Sequence, residues 1–233
     1  MRREKLEVSS LNVFYGESHI VRDAAFSLRE GEALAVMGRN GMGKTTLFKA
    51  LIGMIHSMTG SIRLDGAELA GTKSHERVAR GLAFVPQGRM IFPLLTVEEN
   101  ILAGMIGSKR AVVPDFVYRF FPVLESMRKR RGGNLSGGQQ QMLAISRALV
   151  SDPKVLILDE PTEGIQPSII KEIAHTLNDL RRERGFSILV SEQVLSFAYE
   201  VADRFLVVDR GRIVQDEPKE SLDVERIRSY LTI

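Results

Sequence analysis

The stretch GRNGMGKTT, residues 38–46, carries the strongest chemical pattern in the chain. It fits the motif G-x-x-x-x-G-K-[ST], in which the backbone N–H groups of a glycine-rich turn approach phosphate oxygens closely. A helix that begins directly after the turn adds a favourable dipole, Lys44 can reach the β- and γ-phosphates, and the Thr45 hydroxyl can bind Mg²⁺. The motif predicts a phosphate-binding loop; the alternative is a glycine turn with a solvated lysine. The predicted ligands are Gly38, Arg39, Asn40, Gly41, Met42, Gly43, Lys44, Thr45 and Thr46.

A second stretch, VLILDE at residues 155–160, supplies two carboxylates at the end of an apolar run. In a doubly wound sheet the carboxyl end of such a strand opens beside the phosphate-binding loop. We therefore expect Asp159 to orient Mg²⁺ and Glu160 to polarise an attacking water. The alternative is that the two acids simply cap a buried strand.

Strands and helices that alternate along the chain position these two motifs. Ala33–Met37 is a continuous apolar run, as in a strand buried on both faces, and a helical pattern runs from Thr45 to Met54 after the loop. This alternation implies a largely parallel sheet covered on both faces. The further strands are predicted at Leu82–Val85, Val155–Leu158, Ser187–Val190 and Phe205–Val208, and the further helices at Ile169–Arg184 and near Val194–Ala202.

Other segments depart from this alternation. The first 30 residues contain short alternating stretches, Leu6–Val8 and Asn12–Tyr15, which predict antiparallel strands, and Ser61–Leu64 continues the strand pattern. Residues 91–150 have a helical texture interrupted by prolines and glycines, so we expect a helical subdomain inserted into the α/β core. Arg210-Gly211 predicts a tight hairpin, and a helical tail ends at Ile233.

Composition excludes several classes of protein. The chain has 32 Lys and Arg against 29 Asp and Glu, and its net charge of +3 is too small to indicate nucleic-acid binding. It has no cysteine, and its four histidines are too far apart for a zinc site. The charged amino terminus lacks the apolar segment of a secretory signal, and every apolar run is shorter than the roughly 18 residues that span a bilayer. We expect neither export nor a membrane span.

LSGGQ, residues 135–139, lies between the two phosphate-site motifs. Together with GRNGMGKTT and VLILDEPT, in this order and spacing, it resembles the ATP-binding-cassette (ABC) ATPases over essentially the whole chain. The resemblance implies a P-loop NTPase fold, with a mixed, largely parallel sheet, an N-terminal antiparallel β subdomain and the inserted helical subdomain, in a single domain of residues 1–233. It also implies ATP and Mg²⁺ as ligands.

In this family the LSGGQ segment binds the γ-phosphate of an ATP held by a partner subunit. The resemblance thus implies a head-to-tail dimer that encloses two ATP molecules. The residues assigned to the partner's ATP are Ser136, Gly137, Gly138 and Gln139.

Further positions match the family one at a time. Tyr15 occupies the place of the aromatic residue that stacks on adenine, although a tyrosine packed within the β region is the alternative. Gln87 matches the glutamine that contacts Mg²⁺ and the attacking water. Gln193 stands where the family usually has a histidine that contacts the γ-phosphate, and Gln166 stands where it usually has an aspartate. Glutamine can donate a hydrogen bond but cannot become a cation, which favours weaker stabilisation of the transition state.

A glutamine at position 193 is similar to the second ATPase of branched-chain amino acid importers. The stretches YGESHI, MGRNGMGKTTL, VPQGRMIFPLLTVEEN and DEPTEGIQPSIIKEI resemble the urea-importer ATPases of the same group. This resemblance implies a peripheral subunit at the cytoplasmic face of the inner membrane. Its implied partners are a second ABC ATPase, identical or not, two membrane permeases and, indirectly, a solute-binding protein.

Three other functions are the alternatives. Non-transport ABC ATPases typically carry a coiled-coil insertion or two cassettes, neither of which is found in this sequence. A small-molecule kinase has no use for LSGGQ, and detection of a phosphorylated product would favour it. A module that senses ATP without hydrolysis would be favoured by the absence of phosphate release from the purified protein with its permease. The expected function is therefore ATP-driven import, with urea as the expected solute and branched-chain amino acids as the alternative.

Overall fold

The computed structural model describes residues 3–105 and 112–231. Residues 106–111 of the expected helical insert, the first two residues of the amino terminus and the end of the predicted helical tail at 232–233 lie outside the described residues.

Most of the described strands form a six-stranded sheet in the order β10-β9-β3-β8-β7-β6. Neighbouring strands from β9 to β6 pair in parallel, and β10 pairs antiparallel with β9 at the edge. The predicted hairpin at Arg210-Gly211 joins these last two strands. The strands are β3 (Ala33–Met37), β6 (Leu82–Val85), β7 (Val155–Asp159), β8 (Ser187–Glu192), β9 (Arg204–Asp209) and β10 (Arg212–Pro218).

A second, antiparallel sheet has the order β2-β1-β4-β5. The two short amino-terminal strands expected from the sequence are one continuous strand, β1 (Glu4–Tyr15), whose pairing with β2 contains register shifts on both sides of Leu11. Bulges of this kind break the alternation of buried and exposed residues, which explains why the sequence pattern predicted two strands. The other strands are β2 (Ser18–Arg29), β4 (Met58–Leu64) and β5 (Ala67–Glu68).

Helices connect the strands of the larger sheet. The helix predicted from Thr45 to Met54 is Lys44–Leu51, and it ends before Gly53, which has a φ of 79°. The described helices are α1 (Lys44–Leu51), α2 (Ser74–Ala79), α3 (Val97–Leu102), α4 (Asp115–Phe120), α5 (Pro122–Ser126), α6 (Gly137–Leu149), α7 (Pro167–Arg184), α8 (Leu195–Val201) and α9 (Val224–Leu231), with short 3₁₀ turns at Gly132–Asn134 and Lys219–Ser221.

The core has two layers, one on each face of the six-stranded sheet. Alternate residues of β3 point to opposite faces: Ala33, Ala35 and Met37 belong to the cluster formed with α6, α7 and α8, whereas Leu34 and Val36 belong to the cluster formed with α1 and the antiparallel sheet. Burial on both faces is the reason that β3, the first four residues of β7 and the centre of β8 consist of apolar residues.

Candidate functional site

The carboxyl ends of β3, β8, β7 and β6 meet at one edge of the sheet, because these strands are parallel neighbours. The loop of residues 38–43 leaves β3, Asp159 ends β7, Glu192 ends β8, and Gln87 lies two residues beyond β6. The strand order therefore collects residues from four distant parts of the sequence at the amino terminus of α1.

Lys44 is the first residue of α1, and its side chain is only 3% exposed. Its Nζ donates to the carbonyl oxygens of Gly38 at 2.6 Å and Arg39 at 3.0 Å, so the side chain folds back over the loop. Nζ also lies 3.2 Å from Glu160 Oε1. The Lys44 side chain thus lies under the loop that the sequence predicts to bind phosphate.

Only glycine fits at the start of this loop. A Cβ at Gly38 would lie 2.4 Å from the carbonyl oxygen of Val208 in β9, and the φ of Gly38 is 152°. Because the loop packs so closely against β9, the positions of the loop's backbone N–H groups are fixed.

Asp159 is buried at the end of β7, and its two carboxylate oxygens differ in their hydrogen bonding. Oδ1 accepts hydrogen bonds from Ser191 Oγ at 2.5 Å and Thr45 Oγ1 at 3.2 Å. Among the described residues, none donates to the buried Oδ2. Burial raises the pKa of Asp159 above its usual range, although the two hydroxyl donors act in the opposite direction.

A buried carboxylate oxygen without a donor is costly unless a cation compensates it. Asp159 and the adjacent Thr45 hydroxyl are oxygen donors of the kind that Mg²⁺ prefers. The residues present therefore fit the divalent cation that the sequence predicts. No group of three or more His, Cys, Asp and Glu side chains suited to a metal occurs in the described part of the chain.

Glu160 follows Asp159 and is surrounded by nitrogen donors. Its Oε1 lies 3.2 Å from both Lys44 Nζ and Gln193 Nε2, and its Oε2 accepts from Gln87 Nε2 at 3.3 Å. Gln193 Nε2 also donates to Asn40 Oδ1 at 2.8 Å. Glu160 is therefore in contact with Gln87, which is predicted with it to act on the attacking water, and with Gln193, which is predicted to contact the γ-phosphate.

A cleft of about 430 Å³ opens above the loop. Tyr15, 48% exposed, lines it at the end of β1, on the side of the antiparallel sheet. The position is compatible with the predicted contact to an adenine ring. The other residues that line the cleft are Ile20, Asn40, Gly41, Gly43, Lys44, Thr45, Thr46, Gln87 and Glu160.

The LSGGQ segment is not among the residues that line this cleft. Ser136 caps α6: its Oγ accepts from the N–H of Gln139, and its own N–H donates to Gln139 Oε1. A Cβ at Gly138 would lie 2.5 Å from Ile169 Cγ2 in α7, so close helix packing requires glycine there. Ser136, Gly137, Gly138 and Gln139 therefore form a helix amino terminus separate from the cleft of their own chain.

Two residues that no sequence motif singles out support the site. Ser191 holds Asp159 through its hydroxyl, and Arg89 Nη2 donates to the carbonyl of Glu163 at 2.6 Å, which connects the segment after Gln87 to the loop after β7. The only available signal for Ser191 was the change from apolar to polar residues at the end of the run Ser187–Val190.

The family model described as ABC transporter matches residues 21–163 of this chain, which include both motifs of the cleft and the LSGGQ segment. No helix in the described ranges has the length and apolar character needed to cross a membrane.

Two curated proteins are similar over nearly the whole chain. The high-affinity branched-chain amino acid transport ATP-binding protein BraG of Pseudomonas aeruginosa is 40% identical, over 93% of this chain and 94% of that protein. The probable branched-chain amino acid transport ATP-binding protein LivF of Archaeoglobus fulgidus is 36% identical, over 89% of each.

Solved structures confirm the fold class predicted from the sequence. A nucleotide-free ATP-binding cassette from an ABC transporter superposes with a TM-score of 0.85 at 23% identity, over 97% of this chain and 95% of that one.

Proposed function

The chain belongs to the ABC transporter family, and on that premise we propose that it is a peripheral ATPase at the cytoplasmic face of a membrane, working through separate permease subunits. Its activity is ATP hydrolysis coupled to transport, as the ATPase subunit of an ABC importer. One observation supports the catalytic roles that we assign to individual residues. Glu160 is in contact with Lys44, Gln87 and Gln193 at one cleft.

Each residue of this group has a role that follows from its chemistry. Lys44 supplies fixed positive charge for the phosphates. The Glu160 carboxylate accepts a proton from the attacking water, and the amides of Gln87 and Gln193 hold it in place. Gln193 donates a hydrogen bond but adds no positive charge. Catalysis would depend mainly on positioning and charge neutralisation.

Thr45, Asp159 and Gln87 are the residues that we assign to Mg²⁺, which when bound neutralises part of the triphosphate charge. The free buried oxygen of Asp159 supports this assignment. Ser191 keeps the other oxygen of the same carboxylate directed toward Thr45.

The separation of the LSGGQ segment from the cleft supports a head-to-tail dimer. We assign Ser136, Gly137, Gly138 and Gln139 to the ATP bound by a second ABC ATPase, either a copy of this chain or a related subunit. The capped amino terminus of α6 offers backbone N–H groups and a favourable dipole to a phosphate. Binding of ATP would close the dimer, and hydrolysis would reopen it.

For the transported solute we propose urea, on the resemblance of four stretches of the sequence, including VPQGRMIFPLLTVEEN, to urea-importer ATPases. The names of the two curated relatives favour the alternative, branched-chain amino acids. The solute would contact the permeases and the binding protein rather than this chain.

Uptake of labelled urea and labelled leucine distinguishes the two solutes. It is measured in cells lacking this protein and in cells restored with wild type, Glu160→Gln or Glu163→Gln. Glu163→Gln is the control, because it makes the same substitution at an exposed position three residues further along the chain. Loss of urea uptake alone, restored by wild type and Glu163→Gln but not by Glu160→Gln, supports the proposal. Loss of leucine uptake alone moves the solute to branched-chain amino acids, and unchanged uptake of both refutes both solutes.

A further inference from the structure

Glu192, the last residue of β8, joins two loops through one buried carboxylate. The residue is 2% exposed. Its Oε1 accepts from the backbone N–H of Thr162 at 3.1 Å and from the Thr162 hydroxyl at 2.6 Å. Its Oε2 accepts from the N–H groups of Gln193 at 2.9 Å and Val194 at 3.0 Å. Burial raises the pKa of Glu192, whereas these donors favour its charged form.

The two loops held by Glu192 flank the assigned base, Glu160. Thr162 is two residues beyond Glu160 in the loop after β7, and the side chain of Gln193 contacts Glu160 Oε1 from the loop after β8. Glu160 itself has a left-handed backbone, with φ of 46°, which is strained for a residue with a side chain. Such a conformation persists only where the surrounding structure fixes it.

We propose that Glu192 is a positioning residue for ATP hydrolysis, which holds the loop of Thr162 and the loop of Gln193 at the spacing that places Glu160 and Gln193 side by side. The inference rests on the proposed function of Glu160 and Gln193. It adds a residue that touches neither substrate nor metal in that scheme and acts through the two loops.

A carboxylate suits this position because both of its oxygens accept hydrogen bonds. Glutamine has nearly the same shape, but its amide nitrogen donates and would face N–H donors on one side. With its oxygen toward residues 193–194, the glutamine can donate from its nitrogen to the Thr162 hydroxyl but offers no acceptor to the Thr162 N–H. In the opposite orientation it loses both bonds from the N–H groups of residues 193–194. In either case Glu192→Gln holds one loop less firmly than the other.

The test compares Glu192→Gln with Glu32→Gln in the full-length protein. Glu32 is also a buried carboxylate, but it precedes β3 at the opposite end of the sheet, where it accepts from the N–H of Arg29 and lies 3.5 Å from Arg204. We expect Glu192→Gln to lower kcat about 10- to 100-fold, as displacement of a positioned group does, with the Kd for ATP changed less than threefold. Glu32→Gln should lower Tm but leave kcat within twofold of wild type.

A second variant, Thr162→Val, removes only the hydroxyl bond and keeps the β-branched shape. It should lower kcat by a smaller factor, and the loss in the double variant should be smaller than the product of the two single losses, because both changes act on the same contact. This variant tests the proposal even if Glu192→Gln does not fold.

The inference is overturned if folded Glu192→Gln turns over within twofold of wild type, if Glu32→Gln loses kcat equally, or if Thr162→Val has the wild-type kcat. Glu160→Gln separates this failure from that of the proposed function. Should Glu160→Gln hydrolyse ATP at the normal rate, the assignment of the base is wrong, whatever Glu192 does.

Discussion

Replacement of Glu160 by glutamine tests the chemistry of the cleft most directly. The variant keeps the size of the side chain but removes the negative charge beside Lys44 Nζ, 3.2 Å away. It also removes the group that we propose to accept the proton of the attacking water. A positioned base contributes about 10²- to 10⁴-fold to the rate. This range corresponds to about 2.7–5.5 kcal/mol in activation free energy.

The same structure predicts the effect on stability and on ATP binding. Glu160 accepts from Lys44, Gln193 and Gln87, and an amide can accept on one atom only. We therefore expect the free energy of unfolding to fall by about 1–3 kcal/mol. Binding of ATP should be unchanged or tighter, because a negative charge near the triphosphate is lost.

The assay is phosphate release, together with nucleotide binding and the amount of ATP-bound dimer. Glu160→Gln should bind ATP, hydrolyse it at least about 100-fold more slowly and accumulate as a dimer. Glu163→Gln, at an exposed position of the same loop, is the control and should match wild type. Normal turnover by Glu160→Gln would refute the role assigned to Glu160.

Three further predictions concern the loop, the α6–α7 packing and the antiparallel sheet. Lys44→Ala should weaken ATP binding at least about tenfold by loss of a charged phosphate contact, and unchanged binding in a titration would contradict the loop assignment. Gly138→Ala should lower Tm in a thermal melt, because the added Cβ would lie 2.5 Å from Ile169 Cγ2. Overpacking costs about 1–3 kcal/mol, which is more than alanine gains over glycine in helix propensity. A raised Tm would show that the helices do not need glycine at this contact. Partial burial acts to raise the pKa of Glu68, but hydrogen bonds from Ser61 and from backbone N–H groups outweigh it and lower the pKa from 4.5 to about 2. This carboxylate therefore stabilises the fold above pH 4.5 and loses that effect as the pH falls towards 2. Between pH 5 and 3, the midpoint of urea-induced unfolding should fall less for Glu68→Gln than for the wild type. An equal fall in the two proteins would refute this account.

The buried strands could be predicted from the sequence because burial on both faces requires uninterrupted apolar residues. Leu82–Val85 has the predicted bounds, and Val155–Leu158 was extended only by Asp159. The amino-terminal strands were less predictable. Bulges near Leu11 interrupt the period of two in β1, and their position depends on pairing with β2 and β4 rather than on local sequence.

The sequence by itself determined the prediction of a phosphate-binding loop, because the proposed ligands are consecutive residues whose glycines and lysine act through local backbone geometry. It also placed Asp159 and Glu160 at the end of a buried strand. Only the tertiary structure decided which side chains hold these two acids: Ser191 on Asp159, Gln87 and Gln193 on Glu160, and Glu192 on the loop that follows them. These contacts join residues at least 30 positions apart. They depend on β8 lying between β3 and β7, an order set by how the strands and helices pack and by no single segment.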